Sequence, residues 1–62
     1  MTVADIIERL QFYTEVEVHS TENYLLAEST ALFGYKELKP VLEKEVAYID
    51  IENNTLHITV CL

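Results

Sequence analysis

The stretch KEVAYIDIENNTLHITVCL, residues 44–62, contains two runs of alternating apolar side chains on either side of Asn53-Asn54. Alternation with a period of two predicts β-strands, and asparagine tolerates the positive φ angles of a two-residue hairpin turn. We therefore predict a β-hairpin whose core face carries six apolar residues. The pairs on that face are Ile51 with Leu56, Ile49 with Ile58, and Ala47 with Val60.

The opposite face of this hairpin has a different composition. Its predicted pairs are Glu52 with Thr55, Asp50 with His57, Tyr48 with Thr59, and Val46 with Cys61. A slip of one residue would mix the two sets of side chains, so the pattern itself supports this register. We expect the polar face to lie away from the core and to be the surface where a partner binds.

The amino-terminal residues MTVADIIERLQFY have helical periodicity. The apolar side chains of Val3, Ile6, Ile7, Leu10 and Tyr13 fall on one stripe. Thr2 is a suitable N-cap, and a carboxylate stands three residues later in the first turn. This pattern predicts an amphipathic helix that packs its stripe on the sheet.

A second hairpin is predicted from the stretch TEVEVHS, residues 14–20, and the stretch YLLAES, residues 24–29. The four polar residues 20–23 between them are the expected loop. In that register Val18 pairs with Leu25, Val16 with Ala27, His19 with Tyr24, and Glu17 with Leu26.

The residues between the two hairpins are interrupted by Gly34 and Pro40, which disfavour a long helix. We expect only a short helical turn near residues 35–39, with another turn at residues 41–44. The predicted fold is thus α+β, an amino-terminal helix on a four-stranded, mainly antiparallel sheet of two hairpins, with the strand order left open. We expect residues 1–62 to form a single small domain.

Composition restricts the classes of function. Eleven acidic and four basic residues give a formal net charge of −7, which opposes binding to nucleic acid and to anionic membranes. This charge either keeps a small domain soluble or attracts a protein partner with a basic surface. There is no long apolar run and no pattern typical of a signal peptide, so we expect a cytoplasmic protein.

The residues that could support chemistry are few, and we predict no catalytic, cofactor-binding or metal site. His19 and His57 fall on different predicted hairpins, so we interpret Asp50 and His57 as a cross-strand polar pair. Cys61 is the only cysteine, which excludes an internal disulfide. A core of this size supplies only about 3–5 kcal/mol, so we expect stabilisation by a homodimer or a higher oligomer.

The stretches TVADIIERLQFYTEVEV, residues 2–18, and EVAYIDIENNTLHITV, residues 45–60, together resemble small uncharacterised acidic proteins of phages and mobile elements of Gram-positive bacteria. The shared features are structural: a capped amphipathic helix, a strand of the type T-x-V-x-V, and a terminal hairpin. The resemblance implies a phage protein that acts by binding inside the bacterial host cell. Several anti-CRISPR families inhibit host defence complexes by occupying basic surfaces.

Two hypotheses of function follow. The first is a non-enzymatic, anti-CRISPR-like inhibitor that binds the basic surface of a bacterial defence nuclease or another nucleic-acid-binding protein. The alternative is a structural or regulatory accessory protein of a phage or mobile element that acts through homo-oligomerisation. Aromatic anchors surrounded by charge are typical of binding sites. The predicted partner-binding residues are Glu17, Tyr24, Tyr48, Asp50 and Glu52.

Overall fold

The structure, a computed structural model, describes residues 1–10, 15–29 and 36–61. Its elements in chain order are helix α1 (Val3–Ile7), strands β1 (Glu15–Ser20) and β2 (Leu25–Ser29), a 3₁₀ helix (Lys36–Val41), and strands β3 (Val46–Glu52) and β4 (Thr55–Val60). The fold is dominated by its sheet, and both helices are short.

The four strands form one sheet in the order β2-β1-β4-β3. Strands β1 and β2 are antiparallel, as are β3 and β4, which confirms the two hairpins. The two hairpins meet through β1 and β4, which are parallel. The sheet is therefore mixed. The sequence predicts a mainly antiparallel sheet, and two of the three strand pairings among the described residues are antiparallel.

Helix α1 begins where the sequence predicts but is much shorter. Thr2 and Asp5 form the capping box, in which the Thr2 amide donates to the Asp5 carboxylate at 2.9 Å. The amides of Val3 and Ala4 donate to carbonyls at residues 44 and 42, so contacts within the fold satisfy the first turn. The helix ends at Ile7 with tighter bonds between residues three apart. The helix was predicted within residues 1–13. Its continuation over residues 8–10 is therefore wrong, and residues 11–13 lie outside the described part.

The hairpin at Asn53-Asn54 has the predicted turn, since both asparagines have positive φ angles of 52° and 64°. Five of the seven predicted pairs are confirmed, from Glu52–Thr55 to Tyr48–Thr59. The two at the far end are wrong, because a bulge at Ala47 makes Val46 the partner of Val60. The Cys61 amide donates instead to the Glu45 carbonyl at 3.0 Å. The bulge places the larger valine side chain against the core.

The first hairpin does not have its predicted register. Val18 pairs with Ala27, and Val16 pairs with Ser29, a shift of two residues from the expected partners. His19 pairs with Leu25 rather than Tyr24 because a bulge follows Val18. The turn explains the difference: the Ser20 amide donates to the Tyr24 carbonyl at 2.9 Å, and the Ser20 hydroxyl accepts bonds from two later amides.

The core lies between the two helices and the central strands. Its members are buried on α1, β1, the 3₁₀ helix and β4: Val3, Ile6, Val16, Val18, Leu38, Val41, Leu56, Ile58 and Val60. The 3₁₀ helix overlaps the short turn predicted at residues 35–39, and residue 35 lies outside the described part. The prediction that Ile49 and Ile51 are core residues is wrong: they are 43% and 71% exposed. They lie on the core side of an edge strand, where the short helix does not cover them.

Candidate functional site

The face of the sheet opposite the core is organised in rows across β1, β4 and β3. Residues paired across neighbouring strands point their side chains to the same face. The register therefore aligns three rows on this outer face: Glu15 with Thr55 and Glu52, Glu17 with His57 and Asp50, and His19 with Thr59 and Tyr48. The outer face thus carries both histidines of the chain at its centre.

The centre of the outer face is a cluster of Glu17, His19 and His57. The Glu17 Oε1 atom lies 3.1 Å from His19 Nε2 and 3.6 Å from His57 Nδ1. The first distance is a hydrogen bond, and the second is only an electrostatic contact. The two imidazole rings stack with their centroids 5.7 Å apart. The side chains are only 17–28% exposed, so the cluster is largely shielded by the surrounding face.

One nitrogen of this cluster has no partner. His19 Nδ1 is buried and makes no hydrogen bond to any residue of the described chain. When the neutral His19 ring donates its Nε2–H to Glu17, the Nδ1 lone pair is left without a donor. Such a buried, unsatisfied polar atom costs about 1–3 kcal/mol. In this arrangement the cluster therefore contains one buried polar atom whose loss of hydration is not offset by a hydrogen bond.

The structure brings the two histidines together. They are on different hairpins, but the parallel pairing of β1 and β4 places those hairpins side by side. The predicted pairing of Asp50 with His57 is confirmed as a register, although the Asp50 carboxylate accepts from the Ile51 amide at 2.9 Å. The sequence pattern that points to part of this cluster is Glu17-x-His19, because residues two apart in a strand place their side chains on the same face.

Charge is distributed unevenly between the strands and the rest of the chain. The four strands contain five carboxylates and no lysine or arginine. The register places these carboxylates on the outer face, at Glu15, Glu17, Glu28, Asp50 and Glu52. Glu17 stands directly opposite Glu28, and like charges in that position destabilise a sheet. The outer face is therefore a concentrated acidic surface.

The predicted partner-binding residues separate into two places. Tyr48, Asp50 and Glu52 are exposed and line a groove of about 310 Å³ together with both histidines. Tyr24 is 66% exposed but lines a different groove, of about 410 Å³, at the first turn. Glu17 is half-buried in the cluster. The structure thus brings four of the five onto one continuous part of the outer face and leaves Tyr24 at its margin.

Comparisons with known proteins give no further guidance. No protein-family model matches the chain, and searches of curated proteins and of solved structures find no significant match. The resemblance to phage proteins thus stays a prediction. Within the described ranges, no helix has the length and apolar character needed to cross a membrane.

Proposed function

We propose that this protein is a non-enzymatic binding protein whose outer sheet face docks on a basic surface of another protein. The observation that carries the proposal is the separation of charge: five carboxylates on the strands against no basic residue there. Complementary charge accelerates association and selects partners by sign. The same surface repels the phosphates of nucleic acid, so the partner is a protein.

The anchor of the proposed interface is Tyr48. Its side chain is 63% exposed, beside Asp50 and Glu52 in the groove of the outer face. Binding energy at protein interfaces concentrates in a few aromatic or arginine residues, and surrounding polar groups contribute less. An exposed tyrosine bordered by carboxylates is suited to a patch of lysine and arginine on a partner.

The class of partner follows from the same chemistry. Basic protein surfaces that are accessible to an acidic protein are typical of nucleases and other nucleic-acid-binding proteins. We propose a bacterial defence nuclease or a related nucleic-acid-binding protein, inhibited as in anti-CRISPR systems. The sequence resemblance supplies the phage setting of this proposal, and the acidic face supplies the mechanism: occupation of the surface that phosphates would otherwise bind.

The test is a capture experiment from a bacterial lysate with the wild-type protein and three variants immobilised. The variant Asp50→Lys with Glu52→Lys reverses the charge of the groove, and we expect it to lose the captured protein. The matched control, Glu8→Lys with Glu43→Lys, makes the same change in charge at exposed positions outside the sheet. Tyr48→Ala should weaken capture without changing net charge. Equal capture by the groove variant and the control would refute the proposal.

A specific observation supports a second candidate, self-association through β3. No described strand pairs with the outer edge of β3 beyond Val46, where Met1 contacts it. Ile49 and Ile51 lie exposed beside that edge, and an uncovered apolar edge favours pairing with another chain. Sedimentation of Ile51→Lys should show weaker association than Leu25→Lys, which makes the same charge change on the opposite edge strand. A wild-type protein that stays monomeric at all concentrations would exclude this candidate.

A further inference from the structure

We infer that Glu17, His19 and His57 form a binding site for a divalent transition-metal ion, with zinc as the ion that the ligand set fits best. This inference is independent of the proposed function, because it concerns the centre of the outer face and requires no protein partner. It rests on the geometry of the three side chains, on the ligand atoms they offer and on the charge around them.

The geometry is close to that of a coordination site. One ligand atom from each of the three side chains lies within 4.8 Å of the other two. Glu17 Oε1 is 3.1 Å from His19 Nε2 and 3.6 Å from His57 Nδ1. With zinc bonds of about 2.0–2.2 Å, neighbouring ligand atoms of a tetrahedral site lie about 3.3–3.6 Å apart. Two of the three separations are therefore near their required values before any side chain moves.

The ligand types select the metal. Two imidazoles and one carboxylate form the protein ligand set of one class of zinc site, in which water takes the fourth position. Imidazole nitrogen suits zinc, copper and nickel, whereas calcium and magnesium prefer oxygen ligands. The groove of about 310 Å³, lined by both histidines, gives an ion and its water access from solvent.

The charge around the cluster also favours a cation. The repulsion between the paired carboxylates Glu17 and Glu28 is relieved by a positive ion held on Glu17. The acidic rows on both sides add to the attraction for a doubly charged ion.

The first test uses the whole untagged chain and zinc chloride. We expect calorimetry to give one zinc ion per chain, and the imidazole nitrogen resonances of both histidines to shift on binding. Because the chain has only two histidines, these resonances report directly on the proposed ligands. Absence of zinc binding, or zinc binding without a change at the histidines, would overturn the inference.

The second test uses variants with intact folding, checked by circular dichroism. Glu17→Gln keeps the size of the side chain and should weaken zinc binding by at least about 10-fold, since even residues that only orient metal ligands contribute that much. His57→Gln should weaken it likewise. The matched control Glu43→Gln removes one exposed charge away from the sheet and should leave affinity unchanged. An equal loss in the control, or displacement of zinc by equimolar calcium, would indicate attraction to acidic charge alone and refute the site.

Discussion

Strands β4 and β3 pair with one another and carry similar apolar patterns, yet their core-side residues have different fates. Leu56, Ile58 and Val60 on β4 are buried, whereas Ile49 and Ile51 on β3 are exposed. The reason is position: β4 lies beside β1 under the two helices, and β3 forms an edge. In a sheet covered by so few helical residues, only the central strands have a complete hydrophobic environment.

The largest expected effect comes from truncating Ile58 on β4, and the same truncation of Ile51 on β3 is the comparison. Ile58 is fully buried, and truncation of such a residue to alanine costs about 2–5 kcal/mol. A domain of this size has only about 3–5 kcal/mol of stability, so Ile58→Ala should be largely unfolded. Ile51→Ala, at an exposed position, should change the free energy of unfolding by no more than about 0.5 kcal/mol.

Circular dichroism without urea detects the unfolding of Ile58→Ala, and urea unfolding measures the smaller effect of Ile51→Ala. The experiment should be repeated over a range of protein concentration. If Ile51→Ala becomes more destabilising at high concentration, β3 is buried between two chains. If the two variants are equally destabilising at every concentration, the contrast between centre and edge is wrong.

A smaller effect is expected at the turn that holds β3 against β4. Because β3 gains little from burial, its turn should contribute a large part of its stability. Asn54 has a φ angle of 64°, and left-handed backbone costs residues other than glycine and asparagine about 1–2 kcal/mol. Asn54→Ala should therefore destabilise the fold by about 1 kcal/mol.

The matched variant Asn54→Gly keeps access to positive φ and forms the Asn-Gly turn preferred in two-residue hairpins. We expect its free energy of unfolding to stay at or slightly above the wild-type value. Amide exchange in β3 gives a local measurement of the same effect. Faster exchange in β3 than in β1 for Asn54→Ala would support the edge interpretation, whereas loss of glycine rescue would contradict it.

The smallest expected effect is the loss of stability at acid pH, which depends on carboxylates of the two helices that pack on the central strands. The hydroxyl of Ser29 donates to Glu37 and lowers the pKa of that carboxyl. The bond from the Thr2 backbone amide is the main cause of the lowered pKa of Asp5. A carboxyl group whose pKa is lowered by folding stabilises the fold at pH values above its ordinary pKa. That ordinary pKa is 4.5 for Glu37 and 3.8 for Asp5. That contribution is lost as the pH falls through the lower folded values.

Unfolding midpoints in urea from neutral pH to about pH 3 should therefore decline on the acid side. Glu37→Gln should start from a lower midpoint at neutral pH and decline less steeply. The control Glu43→Gln removes one exposed carboxylate outside the sheet, and it should follow the wild-type curve. A Glu37→Gln curve parallel to the wild type would contradict the part assigned to this bond.

Local chemistry explains what could be predicted from the sequence. Thr2 and Asp5 form the expected cap, and the asparagine pair fixes the second hairpin register up to Tyr48. These features depend on residues close in the chain. The first hairpin was predicted with the wrong register because a serine hydroxyl and a bulge set its turn, and neither has a strong sequence pattern.

The cluster of Glu17, His19 and His57 was missed for a different reason. Each side chain could be assigned to the polar side of a strand, but their contact requires β1 and β4 to be neighbours. Hydrophobic periodicity describes the faces of a strand and contains no information about which strand lies beside it. Charge on the outer face was predictable from alternation alone, and its concentration across rows was not.

The parallel pairing of β1 and β4 has a consequence for the order of events during synthesis. Glu15 and Thr55 are adjacent in the sheet and 40 residues apart in the chain. When β1 and β2 emerge from the ribosome as a hairpin, the strand that completes their hydrophobic face has not yet emerged. Contacts between distant segments form late and slow folding. The nascent first hairpin is thus exposed to chaperones and proteases until β4 emerges, and the cluster of two histidines and a glutamate cannot form before that point.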